Sequence, residues 1–449
     1  MQNTPHLSTA AASHPITPTH DRATPNAPSH HGAIEPGEIA IGVVIGRASE
    51  YFDFFVYAIA SVLVFPTVFF PNEARLEGTL YSFVIFSFAF LARPFGTVAF
   101  MAIQQYFGRE VKLTAALFLL GISTAGIAFL PTYAHLGFAA VVLLSLLRIG
   151  QGVALGGSWD GLPSLLALNA PESKRGWYAM LGQLGAPVGF MIAGSLFAYL
   201  VGNLTPEDFL DWGWRYPFYV AFAINVVALF ARLRLVTTNE YARLLDEREL
   251  EPTNAVEMIR SQGANLAIGA LAALASYALF HLVSVFPLSW ISLYSHRSMS
   301  DFLIIQVIGA ALMAVCVIIS GIVADRIGRR NTLGISALLI ALLSGFVPML
   351  LRGGEGGQDA FILLGFSLLG LSYGQAAGAV TANFASKYRY TGAALTSDLA
   401  WLVGAGFAPL VALGLASHFG LAYVSLYLIS GAACTLGALS LNRKLEIHN

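Results

Sequence analysis

Three charged residues stand close together inside the first long apolar stretch of the chain. Arg47, Glu50 and Asp53 occur in the sequence RASEYFDFFVY. An ion near the middle of a membrane helix costs roughly 2.5–3.5 kcal/mol, so it persists where it is paired, hydrated or functional. A spacing of three places these side chains in one sector of a helix, where all of them can point inward. The pattern predicts proton exchange at an acid beside a guanidinium.

The composition of the chain shows why those charges are unusual. Of the 449 residues, 56% are hydrophobic and 11% are charged, against about 25% charged residues in soluble domains. Apolar runs of roughly 20 residues, each long enough to cross a bilayer, recur to the end of the chain. Because backbone groups in lipid need internal partners, these runs predict helices. We expect an all-α membrane protein, and the formal net charge of −1 gives no indication of a nucleic-acid partner.

The apolar runs predict twelve transmembrane helices in two six-helix pseudo-symmetric bundles, which is a transporter plan with a central site. The predicted spans are 38–65, 78–103, 111–131, 136–167, 175–201, 215–236, 264–293, 301–324, 331–351, 359–383, 390–416 and 420–440. The predicted domains are a disordered cytosolic tail at 1–36, a first bundle at 37–236, a partly helical cytosolic linker at 237–263, a second bundle at 264–441 and a cytosolic tail at 442–449.

Lysine and arginine residues predict the orientation of these spans. With the N-terminus inside, the outer loops hold Arg75, Arg215, Arg297 and Arg352, and the other basic residues of the connecting segments fall on the cytosolic side. We therefore expect both termini in the cytosol and a multi-pass protein in the inner membrane.

A further guanidinium, that of Arg148, is expected at the same depth as the first-span acids. Glu50 lies about 18 Å from the cytosolic start of the first span, and Arg148 lies about 18 Å from the outer start of the fourth. Both depths are near the middle of a core of about 30 Å, which predicts a Glu50–Arg148 or an Asp53–Arg148 contact. If substrate competes for the Arg, the acid takes up a proton, and protonation is then coupled to occupancy. A fixed ion pair that only orients the helices is the alternative.

Other polar and aromatic residues in the spans are candidate substrate contacts. Arg47 could hold an anionic substrate group, or it could pair with Glu50 within the helix. Packing is an alternative role for His281 and for the aromatic residues. The candidate substrate-binding residues are Arg47, Tyr51, Tyr57, Tyr277, His281, Tyr373, Gln375, Asp398 and Trp401. The sequence shows no metal-ligand constellation, nucleotide loop or nucleophile elbow, so we expect neither a cofactor nor an enzyme.

One loop follows the second span of each half, and the two loops are related in sequence. They read MAIQQYFGRE at 101–110 and GIVADRIGRR at 321–330. Asp325 is expected to accept hydrogen bonds from Arg326, Arg329 or backbone donors of the eleventh span, which would hold the cytosolic side closed. For the basic residues alone, topology is an alternative explanation. The candidate gating residues are Arg93, Arg109, Asp160, Gly321, Asp325, Arg326, Gly328, Arg329 and Arg330.

The second loop resembles the signature of the major facilitator superfamily, Gly-x-x-x-Asp-Arg-x-Gly-Arg-Arg. Further stretches are similar to that superfamily's metabolite:H⁺ symporter family: EYFDFFVYAIASVLVFPTVFFP, ARPFG, RIGQGVALGGSWDG, GQLGAPVG, WGWRYPF and RYTGAAL. The resemblance implies the major facilitator fold and the uptake of organic acids, amino acids or compatible solutes with protons. The first loop departs from the pattern at Met101, Gln105 and Glu110, and the fourth span departs from it at Ser158 and Asp160.

We therefore expect a proton-coupled symporter that imports a small polar metabolite, such as an organic acid, by alternating access. Its expected partners are the small-molecule substrate, protons and the lipid bilayer, and the expected working unit is a monomer. A proton-coupled antiporter that exports a small molecule is one alternative, because GQLGAPVG resembles a glycine–proline motif of drug antiporters. A transporter-like sensor without flux is the other, because the first loop is altered.

Overall fold

A computed structural model describes residues 36–158, 170–236, 251–377 and 384–441, which fall within one compact unit. Across these ranges the regular structure is helical. The long helices are α1 Pro36–Leu63, α2 Arg75–Phe107, α3 Arg109–Phe129, α4 Phe138–Ser158, α5 Arg175–Asn203, α6 Tyr216–Val236, α7 Ala255–Tyr294, α8 Met299–Ile327, α9 Arg329–Arg352, α10 Gly354–Ala376, α11 Arg389–His418 and α12 Leu421–Leu441.

These helices confirm the predicted fold class. In the described part of the chain, ten helices are long and apolar enough to cross a membrane. The other two, α1 and α6, have 28 and 21 residues and occupy the predicted first and sixth spans. The protein is an all-α membrane protein, and in its described residues six long helices precede position 237 and six follow position 250.

The seventh helix begins earlier than the sequence pattern predicts. It starts at Ala255, inside the segment predicted as linker, because the Asn254 side chain accepts hydrogen bonds from the backbone N–H groups of Val256 and Glu257. Such an N-cap stabilises a helix start in polar sequence. Gln262 then leaves helical geometry, at φ −128° and ψ 16°, and separates this first piece from the membrane span.

Glycine residues allow α4 and α5 to pack closely against the helices that carry the central charges. A Cβ atom added to Gly152 would lie 2.2 Å from the backbone oxygen of Ala89, and one added to Gly96 would lie 2.2 Å from that of Val153. On α5, a Cβ atom at Gly189 would lie 2.7 Å from the backbone nitrogen of Phe52. Small residues bring helix backbones together in this way, and here they hold α2 against α4 and α1 against α5.

Two helices of the second half are interrupted at the depth of the central residues. The α7 helix breaks at Ala273 and again at Val285, just before Pro287. The α11 helix contains a π-helical turn at Trp401–Gly406. Interrupted helices and π turns recur where membrane transporters bind substrate and ions. The π turn faces α2, where Ser87 Oγ donates to the backbone oxygen of Gly406 at 2.9 Å, and the first break of α7 faces Thr435 of α12, which accepts from the backbone N–H of Ala275.

Candidate functional site

A hydrogen-bonded chain links Arg148 on α4 to Asp53 on α1. Arg148 Nη1 donates to Gln151 Oε1 at 3.0 Å, and Gln151 Nε2 lies 3.4 Å from Asp53 Oδ2. Thr124 Oγ1 donates to Asp53 Oδ1 at 2.8 Å and accepts from Gln151 Nε2 at 3.0 Å. Arg148 and Asp53 are 1% and 3% exposed. An amide therefore stands between the buried acid and the buried guanidinium, where a direct contact was expected.

The other acid of α1, Glu50, pairs with Arg47 and Ser158 and not with Arg148. Arg47 Nη1 lies 2.8 Å from Glu50 Oε2, and Ser158 Oγ donates to Glu50 Oε1 at 2.9 Å. The structure thus places Arg47 in the intrahelical pair that the sequence offered as one of two alternatives. Arg148 is directed to Gln151 and to the backbone oxygen of Phe86, not to Glu50. Glu50 and Arg148 are therefore not in contact, although the sequence predicts the same depth for both. Glu50 pairs with Arg47 on its own helix, and Arg148 bonds to Gln151 and to the backbone of Phe86.

A second ion pair joins the two halves of the molecule. Arg93 Nε on α2 lies 2.7 Å from Asp398 Oδ1 on α11, and Thr97 Oγ1 donates to Asp398 Oδ2 at 2.5 Å. Arg93 was predicted to act in a loop network and Asp398 to bind substrate. The structure places each as the other's partner in a buried bridge between α2 and α11, and both roles stay predictions.

Aromatic side chains form a layer between the two halves at the centre of the molecule. The Tyr51 hydroxyl of α1 and the Tyr373 hydroxyl of α10 are hydrogen-bonded to each other. The Trp401 ring centroid lies 4.8 Å from that of Tyr277 and 5.1 Å from that of Phe280. We call the following residues the central aromatic layer: Tyr51, Phe54, Phe90, Tyr277, Phe280, Tyr373 and Trp401. Four predicted substrate contacts therefore lie together.

A small cavity lies beside the central aromatic layer, and we call it the inner cavity. It has about 30 Å³ open to the centre of a water molecule, which is room for about two waters. Its lining residues are Arg47, Glu50, Tyr51, Phe54, Ala89, Phe90, Arg93, Leu155 and Trp401. A metabolite does not fit in this volume, so the site must expand to take one.

Tyr57 and His281 lie on the other side of Phe54 from the inner cavity. The guanidinium carbon of Arg148 is 3.8 Å from the centre of the Tyr57 ring. The His281 ring centroid is 5.3 Å from those of Phe54 and Phe86. Both residues are fully buried. The sequence singled them out as candidate substrate contacts, and the structure brings them next to Arg148.

Asp325 joins α8 and α5 at the side of the molecule that the basic residues predict to be cytosolic; we call this the inner side and the opposite one the outer side. The backbone N–H of Gly176 donates to Asp325 Oδ1 at 2.6 Å, and that of Trp177 donates to Asp325 Oδ2 at 3.2 Å. The predicted partners were Arg326, Arg329 or α11; the observed donors are the first residues of α5. Carboxylates stabilise helix N-termini by accepting these unpaired amide hydrogens.

Two more side chains strengthen this contact, which we call the inner gate. Arg329 Nη2 donates to the backbone oxygen of Arg175 at 3.0 Å. Gln375 Nε2 donates to the backbone oxygen of Gly176 at 3.2 Å and lies 3.3 Å from Ser320 Oγ. Gln375 was predicted to contact substrate; in this structure it lies in the inner gate, and the substrate contact stays a prediction. Its neighbour by two positions, Tyr373, faces the centre instead.

The remaining candidate gating residues differ in backbone conformation and in exposure. Gly108 and Gly328 end α2 and α8 at φ +86° and +84°, a left-handed conformation that glycine adopts without cost. Arg326 is exposed, and Arg330 Nε donates to the backbone oxygen of Leu439 at 2.9 Å. Arg109 begins α3 and is buried. Gly321 is buried against Met180 of α5. Asp160 lies outside the described residues.

The inner end of the first half uses the Lys112 ammonium with amide, hydroxyl and backbone groups, where the second half uses the carboxylate of Asp325. Lys112 Nζ donates to Gln104 Oε1 at 3.1 Å and to the Tyr390 hydroxyl at 2.9 Å, which ties α2 and α3 to α11. Gln105, at the position equivalent to Asp325, donates to the backbone oxygen of Pro252 at 2.9 Å. Thr253 N donates to Thr391 Oγ1 at 2.8 Å. The end of the linker therefore takes part in closing this side.

A surface ion pair adds to the linker contact. Lys387 Nζ, just before α11, donates to Glu257 Oε1 at 2.8 Å. The hydrogen bond to Glu257 and the charge of that carboxylate raise the pKa of Lys387. Because both side chains are solvent-exposed, this pair contributes little to stability.

The outer ends of the two halves are joined as well. Arg75 Nη2 on α2 donates to Ser292 Oγ on α7 at 3.0 Å. Ser300 Oγ on α8 donates to the backbone oxygen of Ala198 on α5 at 2.8 Å. Together with the inner gate and the small inner cavity, these contacts describe an occluded state.

Several site residues did not stand out in the sequence. Gln151 follows Arg148 by three positions and so shares its helix face, which is a signal that could have identified it. Thr124 is one of three hydroxyl residues within the apolar α3, and Thr97 is one turn after Arg93. Their partners lie on other helices, so spacing within one helix could not reveal the pairing.

Comparisons with known proteins agree with this architecture. Residues 43–397 match the family model described as Major Facilitator Superfamily. The chain is 36% identical over 416 residues to the inner membrane metabolite transport protein YhjE of Escherichia coli, covering 91% of this chain and 94% of that protein. It is 31% identical over 414 residues to the shikimate transporter of Escherichia coli, covering 89% and 92%. A solved D-xylose-proton symporter shares the fold, with a TM-score of 0.68, 17% identity and coverage of 90% and 96%.

Proposed function

The chain belongs to the major facilitator superfamily, and from that premise we propose that it is a proton-coupled symporter that imports a small carboxylate by alternating access. Transport of a metabolite follows from the family and from the relatives at 36% and 31% identity. Coupling to protons, the carboxylate and the direction of transport are our proposal. A single chain encloses the whole central site, which favours a monomer as the working unit.

One observation carries the proposal: Arg148 is linked to Asp53 through Gln151 instead of being neutralised by direct contact. A guanidinium held by a neutral amide keeps its capacity to bind a carboxylate. Asp53 accepts two hydrogen bonds and is fully enclosed by protein. The charge of Asp53 therefore acts on Arg148 through space. Because Gln151 lies between them, the Arg148 guanidinium can still bind the carboxylate of a ligand.

The charges of the central region support one proton and one negative charge on the substrate. Arg47 pairs with Glu50, and Arg93 pairs with Asp398. Arg148 and Asp53 balance each other across Gln151. When Asp53 is protonated, Arg148 carries one uncompensated charge, which is costly in a low dielectric. A monocarboxylate restores neutrality, whereas a neutral sugar or a zwitterion does not.

The proposed cycle follows from this balance. In the outward-open state a proton binds Asp53, and the substrate carboxylate binds Arg148. The halves then close over the substrate through the Arg75–Ser292 and Ser300–Ala198 contacts. The inner gate at Asp325 opens next, and water reaches the site. Proton and substrate leave to the cytosol, after which Arg148 and Asp53 again balance each other.

Proton-driven accumulation in proteoliposomes tests the proposal. Shikimate, a cyclic monocarboxylate, is a suitable probe because a relative is named for its transport. A gradient of one pH unit stores about 1.4 kcal/mol per proton and supports about tenfold accumulation. We expect the native protein to approach that ratio when the outside is acidic. We expect Asp53→Asn to exchange labelled for unlabelled shikimate but to equilibrate without accumulation.

Glu50→Gln is the matched control on the same helix. It changes an acid three residues away that pairs with Arg47, so its accumulation ratio should remain near that of the native protein. Accumulation driven by an acidic lumen would show antiport instead. Shikimate-dependent quenching of tryptophan fluorescence without flux would show a sensor. Undiminished accumulation by Asp53→Asn would contradict the role given to Asp53.

A further inference from the structure

Three buried polar side chains near the centre have groups that no residue satisfies within the described part of the chain. They are Arg148 through Nη2, Tyr57 through its hydroxyl, and His281 through both ring nitrogens. All three are at most 1% exposed. A buried polar group without a partner costs about 1–3 kcal/mol, and a charged one costs more. A cluster of such groups indicates a place where a ligand supplies the partners.

The three groups share neighbours. The Arg148 guanidinium lies over the Tyr57 ring. Its carbon is 3.8 Å from the centre of the Tyr57 ring and 4.9 Å from the centre of the Phe86 ring. The His281 ring contacts the same Phe86 ring edge-on and also contacts Phe54, each with centroids 5.3 Å apart. Thus α1, α4 and α7 each contribute one unsatisfied group around one pair of phenylalanine rings. Two of these helices belong to the first half and one to the second.

We propose that Arg148, Tyr57 and His281 form an outer carboxylate site, separate from the inner cavity, in which the substrate acid first binds. This inference rests on the proposed function and names the group that holds the substrate. Arg148 Nη2 and the Tyr57 hydroxyl donate to the carboxylate. Neutral His281 adds one N–H donor in either tautomer. Phe54 and Trp401 separate this site from Arg47, Glu50 and Arg93 at the inner cavity.

The chemistry of the site favours a carboxylate over a cation or a neutral sugar. The available groups are one guanidinium and two donors, which suit the oxygens of an acid. The walls are Phe54, Phe86, Phe280 and Trp401, which suit an apolar or cyclic body. A quaternary ammonium group would find these same rings, but Arg148 beside them would repel it.

Because His281 is on α7, the site is complete only while α7 lies against α1 and α4. A carboxylate that binds all three groups therefore draws the two halves together. Arg148 and Tyr57 alone would give a weaker site on the first half. Substrate binding can in this way favour the occluded state by its difference in affinity between the two arrangements.

Two conservative variants test the site without touching the proposed coupling pair. Tyr57→Phe removes one hydroxyl, and His281→Phe replaces the imidazole with an apolar ring. Shikimate counterflow in proteoliposomes is measured without a pH gradient, alongside counterflow of shikimate carboxamide as a neutral analogue. We expect each variant to raise the KM for shikimate about tenfold, since a hydrogen bond to a charged group is worth that much or more. The KM for the carboxamide should change little.

Matched changes elsewhere show whether the effect belongs to the site. Tyr427→Phe on α12 and His418→Gln at the outer end of α11 remove the same groups away from the centre, and should leave the KM for shikimate unchanged. Size-exclusion profiles confirm that each variant is folded. If native protein moves shikimate with protons but the Tyr57 and His281 variants keep its KM, the outer site is overturned and the symport proposal stands. If native protein moves neither probe, both are overturned.

Discussion

At the scale of single residues, the six central charges are held in three different ways. Arg47 and Glu50 pair within one helix. Arg93 and Asp398 pair between the halves, and Arg148 and Asp53 are linked through Gln151. A direct buried pair is rigid and self-sufficient, whereas an amide-linked pair can change partners. We propose that the mode of contact distinguishes structural charges from charges that can serve transport.

The Arg93–Asp398 bridge makes a testable prediction about stability. Asp398→Asn should lower the free energy of unfolding by about 3 kcal/mol, because it leaves the Arg93 guanidinium buried without its counter-charge. The double variant Arg93→Gln with Asp398→Asn should lose less than the sum of the two single changes. Thermal unfolding of the purified protein in detergent measures all three.

An additive result would contradict this assignment. If the double variant loses the sum of the single losses, then Arg93 and Asp398 do not stabilise each other. Lys387→Gln with Glu257→Gln serves as a control pair. Their ion pair is solvent-exposed, so the double change should lose close to the sum of the two single changes.

At the scale of helices, the inner gate depends on the approach of α5 to α8. A Cβ atom at Gly176 would lie 2.7 Å from Ala324 Cβ and 2.8 Å from both Asp325 Oδ1 and the backbone oxygen of Gly321. These distances are too short for any side chain. The lack of a side chain at Gly176 therefore lets its own backbone N–H reach Asp325.

Gly176→Ala should therefore open the inner side. The added methyl group forces α5 and α8 apart and lengthens the bonds from α5 to Asp325. Overpacking of this kind costs about 1–3 kcal/mol, which shifts a two-state balance by about tenfold or more. Spin labels on cysteines introduced at Glu110 and Arg326, with Cys316 and Cys434 replaced by serine, measure the distance across the inner side by pulsed electron paramagnetic resonance.

Gly345→Ala provides the control for this change. A Cβ atom at Gly345 would have no heavy atom within 4 Å, so the same substitution adds volume where there is space. Its distance distribution should match that of the native protein. If Gly176→Ala also leaves the distribution unchanged, the contact between α5 and α8 does not determine which side is open.

The elements show what could be predicted from sequence and what could not. Apolar run lengths predicted every long helix, and spacing predicted the Arg47–Glu50 pair as one of two alternatives. Contacts between residues on helices far apart in sequence could not be predicted. Arg93 and Asp398 meet only because the fold brings α2 and α11 together. Asp325 accepts from backbone N–H groups, which every residue type but proline has, so no sequence pattern marks them. The early start of α7 was missed because a polar helix capped by Asn254 lacks the apolar pattern of a span.

At the scale of the whole molecule, the two halves close their inner ends by different means. The second half uses the charge of Asp325 on the start of α5. The first half has Gln105 at that position, and it gains contacts from Lys112 to Tyr390 and from Thr253 of the linker to Thr391. The linker thus contributes to the half that lacks the acid. Opening of the inner side must break both kinds of contact.

The orientation in the membrane is a prediction that fusion proteins can test. The basic residues predict that both termini are cytosolic. Green fluorescent protein fused after Asn449 should fluoresce, and alkaline phosphatase fused there should be inactive. Alkaline phosphatase fused after His296, in the loop between α7 and α8, should be active. The reverse pattern of phosphatase activity would show the opposite orientation.

The small size of the inner cavity has a consequence for the cell that makes this protein. If the symport proposal holds, the inner cavity of the described residues, with room for about two waters, limits the water path along which protons could leak through a carrier that holds no substrate. Idle copies can therefore remain in the bilayer when cargo is scarce without draining the energy stored over it. The proton gradient would then be used only when substrate is taken up.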